Sequence, residues 1–216
     1  KVIDDIIARG KRPILVGGTG LYIKAAVDEM NFPETNPEIR DRLNAEAEKL
    51  GKAAMYERLK ELDPAAAIAI DSQNLRRVIR ALEVIEITGK PYTANLPQEG
   101  ASYYPDAIWI GLSVPREVLD ERITLRAQKM FEKGLIEETR DLVLDGLMSG
   151  TTARLGHGYA QIIEFQMGLN MDPIEETIIV TRQYARQQET WFKREARINW
   201  IEAPFLESAL KILELI

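Results

Sequence analysis

A chain of 216 residues, 45% of them hydrophobic, can bury a substantial core as one domain or as one domain with an insertion. The absence of cysteine excludes a disulfide framework and a thiolate metal site, and no run of eighteen or more apolar residues is present to cross a bilayer. A formal net charge of −6 excludes a uniformly basic nucleic-acid binder but leaves open one whose cations are gathered on a single face.

The sequence opens on Lys1 with no charged-then-apolar leader, so the cytoplasm is the expected compartment. Val2, Ile3, Ile6 and Ile7 recur at helical spacing and Gly10 supplies a left-handed stop. No cap residue or entry loop precedes this helix, and an uncapped start of this kind is expected of a domain whose first part lies upstream. Ile14, Leu15 and Val16, bounded by Pro13 and Gly17, read as a strand buried on both faces, as in a parallel sheet. Gly17 to Gly20 form the turn into a helix over Leu21–Val27. In such folds ligands bind beyond the carboxyl ends of the strands, which puts Thr19 where chemistry is usually done, beside free backbone N–H groups suited to an anion. The turn lacks the lysine and spacing of a phosphate loop, and a plain structural turn remains an equal reading.

Pro33 and Pro37 mark a change of composition. A helix from Pro37 to Leu50, a break at Gly51 and a second helix over Ala53–Leu62 predict a small helical insertion, residues 34–70, set apart from an α/β core of 1–33 and 71–216. Over Asp71–Thr88 the stripe Leu75, Val78, Ile79, Leu82 and Ile85 predicts a stronger helix, ended by Gly89 and Pro91. Arg76, Arg77 and Arg80 crowd its first half against the helix dipole. They are either a solvated face paired with Glu83 and Glu86 or a set of phosphate contacts.

After an irregular stretch to Asp106, Ala107–Val114 reads as a second buried strand and Pro115 opens another helix. Its stripe of Leu119, Ile123 and Met130 has Arg126 at the centre, which predicts a guanidinium aimed at the core, with Arg122 one turn earlier. Such a group is either a structural ion pair or an anion site. The glycine-rich segment Gly150–Tyr159 predicts a loop that closes on another backbone, and the lone histidine, His157, has no second metal ligand beside it. Asp172-Pro173-Ile174-Glu175 caps a helix expected to run to Arg197. Arg182, Arg186, Lys193 and Arg197 form a basic stripe along it, with Tyr184 and Trp191 on the other flank, a pattern that points to nucleic acid. Ile198–Ile201 reads as a last strand and Glu207–Ile216 as a closing helix.

These segments together resemble the tRNA dimethylallyltransferase family. The resemblance rests on Pro13-Ile-Leu-Val-Gly-Gly-Thr-Gly-Leu-Tyr22, Arg80-Ala-Leu-Glu-Val84 with Thr88-Gly-Lys90, Arg122-Ile-x-x-Arg126 through Gly134-Leu-Ile-Glu-Glu138, Gly158-Tyr159 and Thr190-Trp-Phe-Lys193, in that order over nearly the whole chain. It implies an α/β fold with a P-loop NTPase-like parallel sheet core, incomplete at its N-terminus, and a helical insertion that contacts the tRNA anticodon arm. It implies transfer of a dimethylallyl group from dimethylallyl diphosphate to N6 of an adenosine next to the anticodon, with Mg²⁺ accompanying the diphosphate, no metal held by the protein alone, and a monomer. By the same resemblance Thr19 lies beside the reacting amine, and Arg126 faces the diphosphate, with Gly18, Gly20 and Arg122 on that side. Arg76, Arg77, Arg80, Gly158, Tyr159, Arg186, Gln188, Thr190, Trp191 and Lys193 contact the tRNA, whose target base is drawn from its stack.

Two features depart from the family pattern. Gln187 and Glu189 stand where more basic residues are usual, which puts tRNA affinity in question. The phosphate loop and the aspartate expected as general base are not in this sequence, so this chain alone is expected to be inactive. An isopentenyltransferase acting on free adenine nucleotides and a non-catalytic RNA-binding module remain the alternatives.

Overall fold

The computed structural model describes residues 1–30, 32–95, 101–169 and 171–202. In chain order the elements are α1 (Val2–Ala8), α2 (Gly20–Val27), α3 (Pro37–Leu62), α4 (Pro64–Ala69) and α5 (Leu75–Thr88). Then follow β1 (Trp109–Ser113), α6 (Arg116–Glu132), α7 (Leu135–Leu144), α8 (Tyr159–Gln166), α9 (Pro173–Phe192) and β2 (Ile198–Glu202). The fold is mixed α/β, mostly helical, with a small parallel sheet. The closing helix expected over Glu207–Ile216 lies outside the described residues. No helix among those described is long and apolar enough to cross a membrane.

The chain divides into two compact units, one of residues 1–20 with 107–216, the other of residues 21–106. This division differs from the expected 34–70 insertion, because α5 packs on α3 and shares its core. Leu43, Met55, Leu59, Val78, Ala81 and Leu82 are buried together there. Each fully buried leucine of this kind contributes about 1.5–3 kcal/mol. Asn36 caps α3 through its side-chain oxygen, which accepts from the Glu38 and Ile39 amides at 3.0 and 3.2 Å. Gly51, with φ of 82°, interrupts α3 where the sequence predicts a break; the left-handed region is open to glycine at little steric penalty. Buried Asp63 ties the far end of this unit together. Its carboxylate accepts from the Ala66 amide at 3.0 Å and from the Thr93 amide and hydroxyl at 2.8 and 2.9 Å. Burial pushes the Asp63 carboxyl up, but these hydrogen bonds outweigh it and hold the group below its ordinary value.

In the other unit β1 and β2 pair in parallel, from Trp109 opposite Ile198 to Ser113 opposite Glu202. Helices α6 to α9 lie between them in the chain, with α6 and α8 packed on α9 and α7 on α8. Two expectations about burial need correction. The Ile14–Val16 run is not laddered into a sheet: Ile14 and Val16 are 83% and 87% exposed. In β1 only Trp109 is buried, while Ile110 and Leu112 are exposed. The reason is the same in both places. Among the described residues the sheet has two strands, so its faces and edges lack the neighbours that bury a central strand.

Candidate functional site

The Gly17–Gly20 turn is held against α9. Gln188 Nε2 donates to the Gly18 carbonyl at 2.7 Å, joining residues 170 positions apart in the sequence. The Thr19 hydroxyl lies 3.4 Å from the Tyr184 hydroxyl, and the Trp191 ring covers Gly20. A Cβ at Gly20 would overlap that ring, so close approach requires glycine there, whereas one at Gly18 would meet only the end of the Gln188 side chain and displace its amide. Gly20 is buried, whereas Thr19 is exposed. The turn therefore presents one hydroxyl to solvent on a platform of Tyr184, Gln188 and Trp191.

Arg126 does not point at the core, contrary to the sequence expectation. It is exposed, and the residue of α6 that is buried is Ala127. The face turned to α9 includes polar positions as well as apolar ones. Arg182 Nη2 donates to Thr124 Oγ1 at 2.9 Å, and Arg116 Nη2 lies 3.2 Å from Glu189 Oε2. At about 100° per residue these contacts centre the interface near Ile123 and Ala127 and leave Arg126 on its margin. There Arg122, Leu125, Arg126, Lys129, Met130 and Lys133 line an open surface groove of about 430 Å³. Its four cations make no ion pair or side-chain hydrogen bond among the described residues. Neither Arg122 nor Arg126 hydrogen-bonds to the glycine turn.

The basic stripe expected along α9 is not continuous. The helix stops at Phe192 rather than Arg197, because the chain must turn to enter β2 at Ile198. Arg197 is off the helix, paired with Glu195 at 2.8 Å and stacked 4.3 Å over the Trp109 ring. Arg182 is half-buried against α6, and its Nε has no hydrogen-bond partner among the described residues. Arg186 remains exposed, and Lys193 is exposed but bound to Glu189 at 2.6 Å. Glu189, the departure from the family pattern, thus answers Lys193 and Arg116. The Lys193 hydrogen bond, opposed by burial and aided by both cations' charge, holds its carboxyl below the ordinary value. Thr190 is exposed, its hydroxyl donating to the Arg186 carbonyl at 2.8 Å.

Gly158 caps the start of α8 with φ of 98°, and a Cβ there would lie 2.9 Å from the end of the Leu135 side chain, so the close approach is to a side chain and not to the backbone that the sequence predicts. Its amide donates to Gln161 Oε1 at 2.9 Å. The Tyr159 hydroxyl donates to Glu138, which raises the phenol's pKa above its ordinary value. His157 packs edge-on against Tyr184, with ring centroids 5.5 Å apart.

In the unit of residues 21–106, Arg40, Asn44, Leu75, Arg76, Ile79 and Arg80 line a groove of about 510 Å³. Arg76 and Arg77 are exposed, and their side chains make no ion pair or hydrogen bond among the described residues. Arg80, which also lines that groove, is bonded within its own unit. It donates to Glu83 at 2.9 Å and to the Pro33 and Glu34 carbonyls at 2.6 and 3.2 Å. Glu83 is fully buried and also accepts from Arg40 at 2.7 Å and from the Asn36 amide at 2.9 Å. Burial pushes the Glu83 carboxyl up, while these donors together hold it below its ordinary value. Glu86 pairs with Arg42, not with the arginines of its own helix.

The sequence model of the IPP transferase family matches residues 1–195. The chain belongs to the IPP transferase family. It is 51% identical over 209 residues to the tRNA dimethylallyltransferase of Thermobifida fusca, covering 95% of this chain and 65% of that protein. The tRNA dimethylallyltransferase of Kineococcus radiotolerans is 46% identical over 220 residues, covering 99% and 69%. The chain therefore spans about two thirds of the length of these relatives. Among solved structures, the full-length tRNA isopentenylpyrophosphate transferase of Bacillus halodurans superposes with a TM-score of 0.60 at 33% identity, covering 99% of this chain and 67% of that one. A eukaryotic dimethylallyltransferase acting on tRNA gives 0.74 at 26% identity, covering 95% and 55%.

Sequence reading missed the two lysines, Lys129 and Lys133, that continue the cations of α6, although their helical spacing was visible. It placed Tyr184 on the flank of α9 but did not pair it with Thr19. No local signal marks a contact between residues 165 positions apart.

Proposed function

We propose that this chain is the tRNA-holding and leaving-group side of a tRNA dimethylallyltransferase. The observation that carries the reading is the hydrogen bond from Gln188 to the Gly18 carbonyl. Through it two family motifs from opposite ends of the chain form one platform, with the Thr19 hydroxyl at its surface. In the proposed reaction, N6 of an adenosine beside the anticodon attacks C1 of dimethylallyl diphosphate. The C1–O bond breaks, the diphosphate leaves with the electron pair, and the N6 proton passes to a carboxylate base, the role the resemblance assigns to an aspartate. Thr19 accepts or donates a hydrogen bond at the amine. Arg126, with Arg122 one turn earlier, offsets charge developing on the leaving oxygen.

Arg76, Arg77, Arg186 and the Gly158–Tyr159 loop supply contacts to the anticodon arm. Gln188 and Trp191 act on the RNA through the turn they hold, as positioning residues. Mg²⁺ enters this proposal as the ion accompanying the diphosphate. The cytoplasm is the proposed compartment and a monomer the proposed state.

The test is made on the whole gene product carrying these residues. It is incubated with Mg²⁺ and dimethylallyl diphosphate, with tRNA or AMP as acceptor, and digested nucleosides are read by mass spectrometry. A mass gain on adenosine next to the anticodon supports the proposal. Modified AMP with unmodified tRNA would favour the free-nucleotide alternative, and tRNA binding without transfer to either acceptor would favour the RNA-binding module.

A further inference from the structure

Helix α6 separates its exposed charges by sign. At about 100° per residue, Arg122, Arg126, Lys129 and the C-cap Lys133 fall within a sector about 60° wide, while Glu117 and Glu121 lie well off it and Glu132, at i+3 from Lys129, borders the row without forming an ion pair with it among the described residues. The cations follow one another at i, i+4, i+7 and i+11, so each neighbour in the row has the same sign. Like charges at these spacings weaken a helix, and ordinary surface patterning would have placed a glutamate among them. None of the four has an anionic partner among the described residues; Glu137, one turn beyond Lys133, makes no ion pair with it. Leu125 and Met130 lie among the cations in the same open groove. A row of uncompensated cations in a protein of net charge −6 identifies a surface kept for an anion.

Its length decides which anion. Eleven residues of helix span about 16 Å, or three turns. A diphosphate can engage one of those turns, and Arg122 with Arg126 supplies it. Lys129 and Lys133 extend the row well past that reach. We infer that Lys129 and Lys133 form a binding track for consecutive backbone phosphates of the RNA substrate, continuous with the leaving-group arginines. Lysine suits this use because a flexible point charge meets a phosphate without demanding one base or one register. The inference rests on the RNA acceptor proposed above and adds to it the path of the strand.

The test uses the whole gene product and its Lys129→Gln/Lys133→Gln variant, with Lys129→Arg/Lys133→Arg as the conservative partner and circular dichroism to verify folding. Binding of a fluorescent anticodon stem–loop RNA is measured from low to moderate salt, and binding of inorganic diphosphate is measured in parallel. The track requires the glutamine variant to bind RNA at least about fivefold more weakly at low salt. Two lost phosphate contacts should lower the magnitude of the log–log salt slope by about 1.4–1.8. The arginine variant should retain both affinity and slope. An unchanged RNA affinity and slope would overturn the track, as would a loss confined to diphosphate, which would make the lysines part of the leaving-group site. Prenyl transfer to tRNA by the parent distinguishes the two proposals: transfer with an unchanged slope removes only the track, and RNA binding through the lysines without transfer removes only the enzymatic reading.

Discussion

Replacing Glu83 by glutamine probes a fully buried carboxylate held by four donor groups. Its Oε2 accepts from Arg40 Nε and Nη2 at 3.2 and 2.7 Å and from Arg80 Nη1 at 2.9 Å, and its Oε1 accepts from the Asn36 amide at 2.9 Å. All four partners are donors. A glutamine offers one acceptor and one amide donor, so either the two arginines or the capping amide of α3 must face an N–H group. A buried donor left without an acceptor costs about 1–3 kcal/mol, and more when it is charged. Against this, the Arg40 and Arg80 side chains are 43% and 28% exposed, so water recovers part of the loss. A net destabilisation of about 2–3 kcal/mol follows. For a chain of this size that is a fall of about 4–12 °C in Tm.

The pH dependence adds an internal control. The folded state holds the Glu83 carboxyl below its ordinary 4.5, so the ionised group binds its proton less readily when folded than when unfolded. Its stabilisation is therefore complete above pH 4.5 and is lost as pH falls through the folded-state value. The gap in Tm between parent and Glu83→Gln should be constant from pH 7 to about pH 5 and should narrow below it. Thermal unfolding followed by circular dichroism across this range measures both quantities. Equal Tm values at pH 7, or a gap that stays constant down to pH 3, would refute the assignment of Glu83 as the charged centre of this clamp.

Other substitutions address the remaining features. Gly20→Ala drives a methyl group into the Trp191 ring and should destabilise the turn by about 1–3 kcal/mol, with a shift in tryptophan emission; an unchanged spectrum and Tm would mean that the turn does not rest on α9. Arg126→Gln, in the whole gene product, should lower kcat for prenyl transfer by about 10²–10³-fold, and wild-type turnover would remove Arg126 from the leaving-group site. Asp63→Asn leaves the cap on Ala66 in place but weakens the bonds from Thr93, so it should lower Tm at pH 7 and flatten the acid limb below the ordinary aspartate value of 3.8.

Where the sequence was legible, the reason was local. The stripe of α5, the N1 prolines of α3 and α9 and the break at Gly51 are written in neighbouring residues and appear as read. Strand burial was not legible, because it belongs to whatever lies beside a strand. Ile14 to Val16 have the composition of a central strand and no ladder partner among the described residues. The end of α9 was overrun for a similar reason: Arg194 to Arg197 carry no helix breaker, and pairing of β2 with β1 ends the helix from outside.

Arg126 shows how a sound rule can select the wrong face. Leu119, Ile123 and Met130 define a stripe only if apolar residues alone make the interface. Here the contact with α9 also uses Arg116 and Thr124, which bond to Glu189 and Arg182. Counting these polar positions, together with the buried Ala127, turns the helix so that Arg126 moves from the centre to the edge. The same rotation leaves the row of Arg122, Arg126, Lys129 and Lys133 at the open margin of the interface instead of against the core. A guanidinium in the core would have required a fixed counter-ion, whereas one in an exposed row can exchange a hydrated state for a phosphate. The corrected position of Arg126 therefore suits the proposed diphosphate, which must arrive, be neutralised and depart, better than the buried position the sequence implied.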